Sequence, residues 1–177
     1  MHDADWYQAI TAWATCATAA CALIVVWAQV RSARQLACMQ LFFQLAAQYD
    51  SADMRQTRSR LANVLLADAA TVAIDDTLLV FFENLAMLHR RKFLDKDFVW
   101  NMFVFDITRY WELVKHFVLH ARNVQRDASM YEEFEKLASK LIQTKRSPLG
   151  TLVPCTITDE DCRAFLEYEA ARGAPGK

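Results

Sequence analysis

The first 147 residues contain neither glycine nor proline. Gly150, Gly173 and Gly176, like Pro148, Pro154 and Pro175, all lie beyond Ser147. Hairpins and multi-strand folds draw on these residues at their turns, whereas helix interiors exclude them. A long stretch free of both, and rich in Ala, Leu, Gln, Arg and Glu, predicts an all-α fold.

The second constraint is a run without charge from Trp6 to Val30, bounded by Asp5 and Arg31. As a helix it extends about 37 Å, enough to cross a hydrocarbon core of about 30 Å. Trp6 and Tyr7 stand at one end and Trp27 near the other, where amphipathic rings prefer the headgroup level. The run is therefore expected to be a transmembrane anchor. Two other readings compete with it. A cleaved signal peptide needs a basic start, but Asp3 and Asp5 precede the run, and Thr18-Ala19-Ala20-Cys21 lacks the leucine of a lipobox. A buried soluble helix fits the Ala-rich composition and Thr11, Thr15 and Thr18, but not the length or the cleanly charged edges.

Arg31 and Arg34 follow the run, and no acid appears until Asp50. The positive-inside rule then places the N-terminus outside and the remainder in the cytoplasm, at the inner (plasma) membrane. Small residues at four-residue spacing (Ala12/Cys16, Ala14/Thr18/Ala22, Ala17/Cys21) could let two anchors pack as a homo-oligomer. Cys16, Cys21, Cys38, Cys155 and Cys162 form no zinc pattern and are expected as free thiols.

The expected domains are a tail and anchor over 1–32, a cytoplasmic helical bundle over 33–146, and a linker, short helix and loose tail over 147–177. Within the bundle, 33–48 continues the anchor helix. Asp50 or Ser51 caps a helix over 52–67. Asp75/Asp76 open one over 76–91, with Leu78, Phe81/Phe82, Leu85 and Leu88 as its buried face. Asp95 starts the longest, to about Asn123, whose Phe98–Phe105 stretch is apolar nearly all round and reads as central. Ser129-Met130-Tyr131-Glu132 has capping-box form and opens a helix to about Ile142. Thr158-Asp159-Glu160-Asp161 starts the last, with Phe165, Leu166 and Tyr168 available to dock.

Little here points to chemistry. Net charge is −1, which argues against a nucleic-acid partner. Glu112, His116 and His120 share a helix face and invite a metal reading. Thr108, Arg109 and Asn123 lie on the same side and mark it as a solvated stripe. Asp106 is more unusual, because Val99, Phe103, Tyr110, Leu113 and Phe117 share its face. Its carboxylate is expected to be buried and paired, with Arg58, Arg60 or Arg122 as candidate partners. Glu83, flanked by Leu79, Val80 and Met87, raises the same question. Nucleophilic catalysis has no motif to support it, and no phosphate loop exists without glycine. No catalytic residue, cofactor site or metal site is assigned.

Several strings stand in order along the chain: Phe81-Phe82-Glu83-Asn84-Leu85 with Arg90/Arg91, then Leu94-Asp95-Lys96-Asp97-Phe98-Val99. Tyr110-Trp111-Glu112-Leu113 and Arg122 follow, then Tyr131-Glu132-Glu133-Phe134-Glu135-Lys136-Leu137. In these, over about residues 76–138 plus the anchor, the chain resembles the bacterial family known as domain of unknown function 4760. The resemblance implies an architecture, one span and a small cytoplasmic helical domain, and carries over no catalytic residues. The expected function is a single-pass, membrane-anchored interaction (scaffold or adaptor) module, whose partners are the lipid bilayer and an unidentified protein. The alternatives are an effector or immunity protein in phage or bacterial conflict, and an enzyme using the buried carboxylates or the His pair.

Overall fold

The computed structural model describes residues 3–67, 75–144 and 157–172, with side chains on the first helix described from Thr15 onward and at Trp13. Cys155 and the linker around it lie outside these residues. The described residues form six α-helices and no strand: α1 Asp3–Tyr49, α2 Ala52–Leu66, α3 Thr77–Arg90, α4 Lys96–Gln125, α5 Glu132–Gln143 and α6 Asp159–Arg172. The all-α fold expected from the glycine and proline distribution is what forms.

The chain makes two units, Met1–Phe43 and Gln44–Lys177. In the first, α1 runs through the uncharged stretch without a break. The part of α1 in this unit, Asp3–Phe43, extends about 60 Å. Leu23, Ile24, Trp27 and Val30 are each more than 60% exposed. The segment from Thr15 onward is long and apolar enough to cross a membrane, and none of its most apolar window is buried. Burial is what a soluble core helix would show, so that rival loses its main support.

In the second unit, the end of α1 contributes Leu45 and Tyr49 to a core with α2–α6. Ser51 caps α2 by accepting from the Met54 amide at 3.2 Å, and Asp95 caps α4 by accepting from Asp97 at 2.8 Å. At α3 the reach falls to Asp75, whose carboxylate takes the Thr77 amide and hydroxyl, while Asp76 in the cap position makes no side-chain cap bond. The core is aromatic. Phe82 stacks on Phe134 at 5.1 Å, Trp111 meets Phe134 edge-on at 5.4 Å, and Tyr49 stacks on Phe81 and meets Phe103 edge-on, both at 5.4 Å. Such pairs add about 0.5–1.5 kcal/mol each beyond area burial.

Two local expectations change. Ser129 does not cap α5. Its amide and hydroxyl both turn back to Asp127 Oδ1, at 2.9 and 2.6 Å, and Tyr131 then takes a left-handed conformation (φ 54°) before the helix begins at Glu132. An Asp two residues upstream offers Ser129 a closer local partner than the helix amides do. The capping box forms instead at α6, where Asp161 accepts from the Thr158 amide at 3.0 Å and Thr158 Oγ1 accepts from the Asp161 amide at 3.1 Å. The second change concerns Phe98–Phe105. Val99, Trp100, Phe103 and Val104 are buried, but Phe98, Met102 and Phe105 are 40%, 47% and 60% exposed.

The C-terminal helix belongs to this unit. α6 packs chiefly along α2 and also touches α4. It buries Leu166 and Glu169 and leaves Tyr168 exposed. An acid among its buried residues directs attention to what it meets.

Candidate functional site

Arg58 on α2 is 1% exposed, the largest fully buried side chain in the domain. A guanidinium keeps its charge, so it must find compensation inside. Two groups supply it, and a third holds one of them in place. Glu169 on α6 brings Oε2 to 3.1 Å from Arg58 Nε, with both side chains nearly sealed. Tyr49, at the end of α1, lays its ring under the guanidinium at 4.0 Å, a cation–π contact. Tyr110 on α4 donates its hydroxyl to Glu169 at 3.3 Å. Ser59, beside Arg58, donates to the Ala170 carbonyl at 2.9 Å and pins the same crossing.

Compensation is electrostatic more than directional, since no nitrogen of Arg58 closes a hydrogen bond of good geometry. Arg172 adds a more distant contact to Glu169 at 3.9 Å.

Asp106 borders this cluster and is not held in an ion pair with any arginine. Burial pushes its carboxyl up to about 6, and the charge of Glu169 adds to the rise. The Tyr49 hydroxyl, Arg58 and Arg109 work the other way and do not overcome burial. The Tyr49 hydroxyl is near enough to act on Asp106 without closing a well-aligned hydrogen bond. Of the three arginines weighed for Asp106, Arg58 lies closest in effect but is taken by Glu169. Arg122 is taken by Glu135 at 2.7 Å and by the Met130 carbonyl at 2.9 Å. Arg60 is exposed and reaches Thr57 at 3.5 Å.

Glu83 has a different task from the one its apolar neighbours suggested. From α3 it reaches the start of α5, where Oε1 accepts from the Glu133 amide at 3.2 Å and Oε2 from the Phe134 amide at 2.7 Å. It is a cap supplied from another helix, a negative charge where the α5 dipole favours one. Glu83→Ala should cost about 1–2 kcal/mol of stability, the upper range of cap deletions, because its amides are partly buried. A urea midpoint equal to that of the unaltered protein would contradict the role.

Glu112, His116 and His120 do not converge on a shared point. Glu112 pairs with Lys115 on its own helix, and both histidines face solvent. Among the described residues no group of three His, Cys, Asp or Glu is placed to hold a metal ion. Glu169, Tyr49 and Tyr110 were not singled out from the sequence. Tyr49 and Tyr110 read as ordinary aromatics, and Glu169 falls beyond the linker in an acidic segment with no signal of burial.

Chemically, the Arg58–Glu169 pair offers no atom to a substrate unless α6 moves aside, because both partners are sealed. Its evident work is to hold α6 on α2.

These features define a class: a helical-domain protein preceded by one helix able to cross a membrane. The chain belongs to the family described as Domain of unknown function (DUF4760), which matches residues 16–141. No curated protein and no solved structure matches it.

Proposed function

We propose that the protein is a single-pass membrane protein whose helical domain is a cytoplasmic interaction module, with the bilayer and another protein as its partners. The observation that carries the reading is the uncharged, unburied length of α1, which offers apolar side chains on every side and has lipid as its natural solvent. Arg31 and Arg34 after the run support a cytoplasmic domain and an external N-terminus. Arg31 lies over the Trp27 ring at 5.5 Å, an arrangement suited to an interfacial anchor. Phe98, Met102 and Phe105 form an exposed apolar stripe along α4, the kind of surface that marks protein contacts.

The protein should remain in the membrane pellet after alkaline carbonate extraction, and a reporter fused after Lys177 should read as cytoplasmic. Ile24→Arg, in the middle of the apolar block, should move a large part of the protein to the wash. Complete release of the unaltered protein would end the anchor reading. A photo-crosslinking residue at Met102 should trap a protein in membranes, and the same residue at exposed Arg163 should not.

A further inference from the structure

A groove of about 580 Å³ opens between the end of α3, the α3–α4 connection and one face of α5. Its floor is apolar: Ala86, Leu94 and Leu137 are each 5% exposed or less. Its rim is basic. Arg90, Lys92, Lys96, Lys136 and Lys140 line it against only Asp95 and Glu133, a local excess of three positive charges in a protein of net charge −1. Arg90 is paired with Glu133 at 2.8 Å, and Lys136 with Glu132 at 2.8 Å. Lys92, Lys96 and Lys140 have no carboxylate partner among the described residues. Asp95 is already engaged in capping α4.

The backbone sets where Lys92 stands. The end of α3 closes as a Schellman motif, with the Phe93 amide donating to the Leu88 carbonyl and the Lys92 amide to the His89 carbonyl, both at 3.0 Å. This motif needs a left-handed residue at its turn and ordinarily uses glycine. Here the residue is Lys92, at φ 60°. Arg126 and Tyr131 take the same left-handed conformation, both at φ 54°, in a stretch without glycine, so the conformation by itself marks no site; at Lys92 it fixes a lysine on the groove rim. His89 stands at the same end, its buried Nδ1 closing no well-aligned hydrogen bond while the Leu94 backbone lies near the imidazole.

We propose that this groove binds a small phosphate ester, its phosphate held by Lys92, Lys96 and Lys140 and its organic body lying on Ala86, Leu94 and Leu137. Lysines with no partner act as point charges suited to phosphate. The volume lies within the range of small-molecule sites and exceeds what a bare phosphate would fill. A soluble metabolite and a lipid headgroup present the same chemistry, and the site is independent of whether α1 spans a membrane.

The test uses the full chain in nanodiscs of zwitterionic lipid, titrated by calorimetry with adenosine monophosphate and, separately, with water-soluble dihexanoyl phosphatidic acid. At least one should bind in the micromolar range, and which one does identifies the source. Lys92→Gly relieves the backbone, so it should fold at least as well, yet it should weaken binding by roughly tenfold. Lys96→Ala/Lys140→Ala should abolish binding, whereas Arg55→Ala/Arg163→Ala, two exposed cations outside the groove, should leave it unchanged. Failure of both probes below millimolar concentration would overturn the proposal. So would binding that survives the Lys96/Lys140 change intact.

Discussion

Glu169→Ala should destabilise the helical domain by roughly 3–5 kcal/mol, the cost of leaving a buried charge without its partner. Arg58 is 1% exposed and cannot lose its proton or reach water, so the penalty falls on the fold. The damage should be local first. Hydrogen exchange in α6 should rise well above that in α3, because the Arg58–Glu169 pair and the Ser59–Ala170 hydrogen bond both pin α6 to α2. Asp106 complicates the arithmetic in a checkable way. Glu169 is one of the groups that raises the Asp106 carboxyl, so its removal lets Asp106 ionise more readily and partly compensate Arg58. Glu169→Ala/Asp106→Asn should therefore cost more at neutral pH than the two single changes together. A loss below about 0.5 kcal/mol for Glu169→Ala, the range of ordinary surface sites, would show that the pair is not buried in solution.

Asp106→Asn should have the opposite sign. The Asp106 carboxyl is raised from 3.8 to about 6, with burial the leading cause. Between those values the folded chain holds a proton that the unfolded chain has released, so stability falls as pH rises through this window. Above about pH 6 the full penalty of an ionised, half-buried carboxylate is present. Asparagine has nearly the same shape and never ionises. The variant should match the unaltered protein near pH 4 and exceed it by about 1–3 kcal/mol at pH 7. Asp75, Asp127 and Asp161, lowered by hydrogen bonds to Thr77, Ser129 and Thr158, tilt the curve the other way. They are common to both proteins and cancel in the difference. Parallel urea-midpoint curves from pH 4 to pH 7 for the two proteins would show that Asp106 is solvated.

Both results bear on how such a domain is held together. Arg58, Tyr49, Tyr110 and Asp106 lie inside the stretch that matches the family, whereas Glu169 lies beyond its end at residue 141. The carboxylate that answers the buried arginine is thus brought by a helix outside the matched region. Docking α6 completes a charge balance that α1–α5 leave open.

The helical architecture was legible because it depends on local quantities. Glycine and proline placement, apolar periodicity and caps such as Ser51, Asp95 and Thr158 act within a turn or two of chain, and each is read directly from residue order. The capping box at Ser129 failed for an equally local reason, since Asp127 is a nearer partner. The unusual character of Asp106 was also visible, because its helix face is otherwise apolar and a face is a matter of spacing. Its relation to Arg58 was not. The choice among Arg58, Arg60 and Arg122 depends on which helices cross, and spacing along one helix contains no information about that.

By itself the sequence determined that the chain is helical, that one long apolar helix precedes the domain, and where most helices start. Those outcomes follow from backbone propensity and from the solvent each face requires. Tertiary structure alone decided that Glu83 caps α5, that Glu169 meets Arg58 across a separation of more than a hundred residues, and that five cations gather around one groove. These are meetings of charges on different helices. Packing brings them together, and electrostatics then fixes which are paired, which are protonated and which remain open to a ligand.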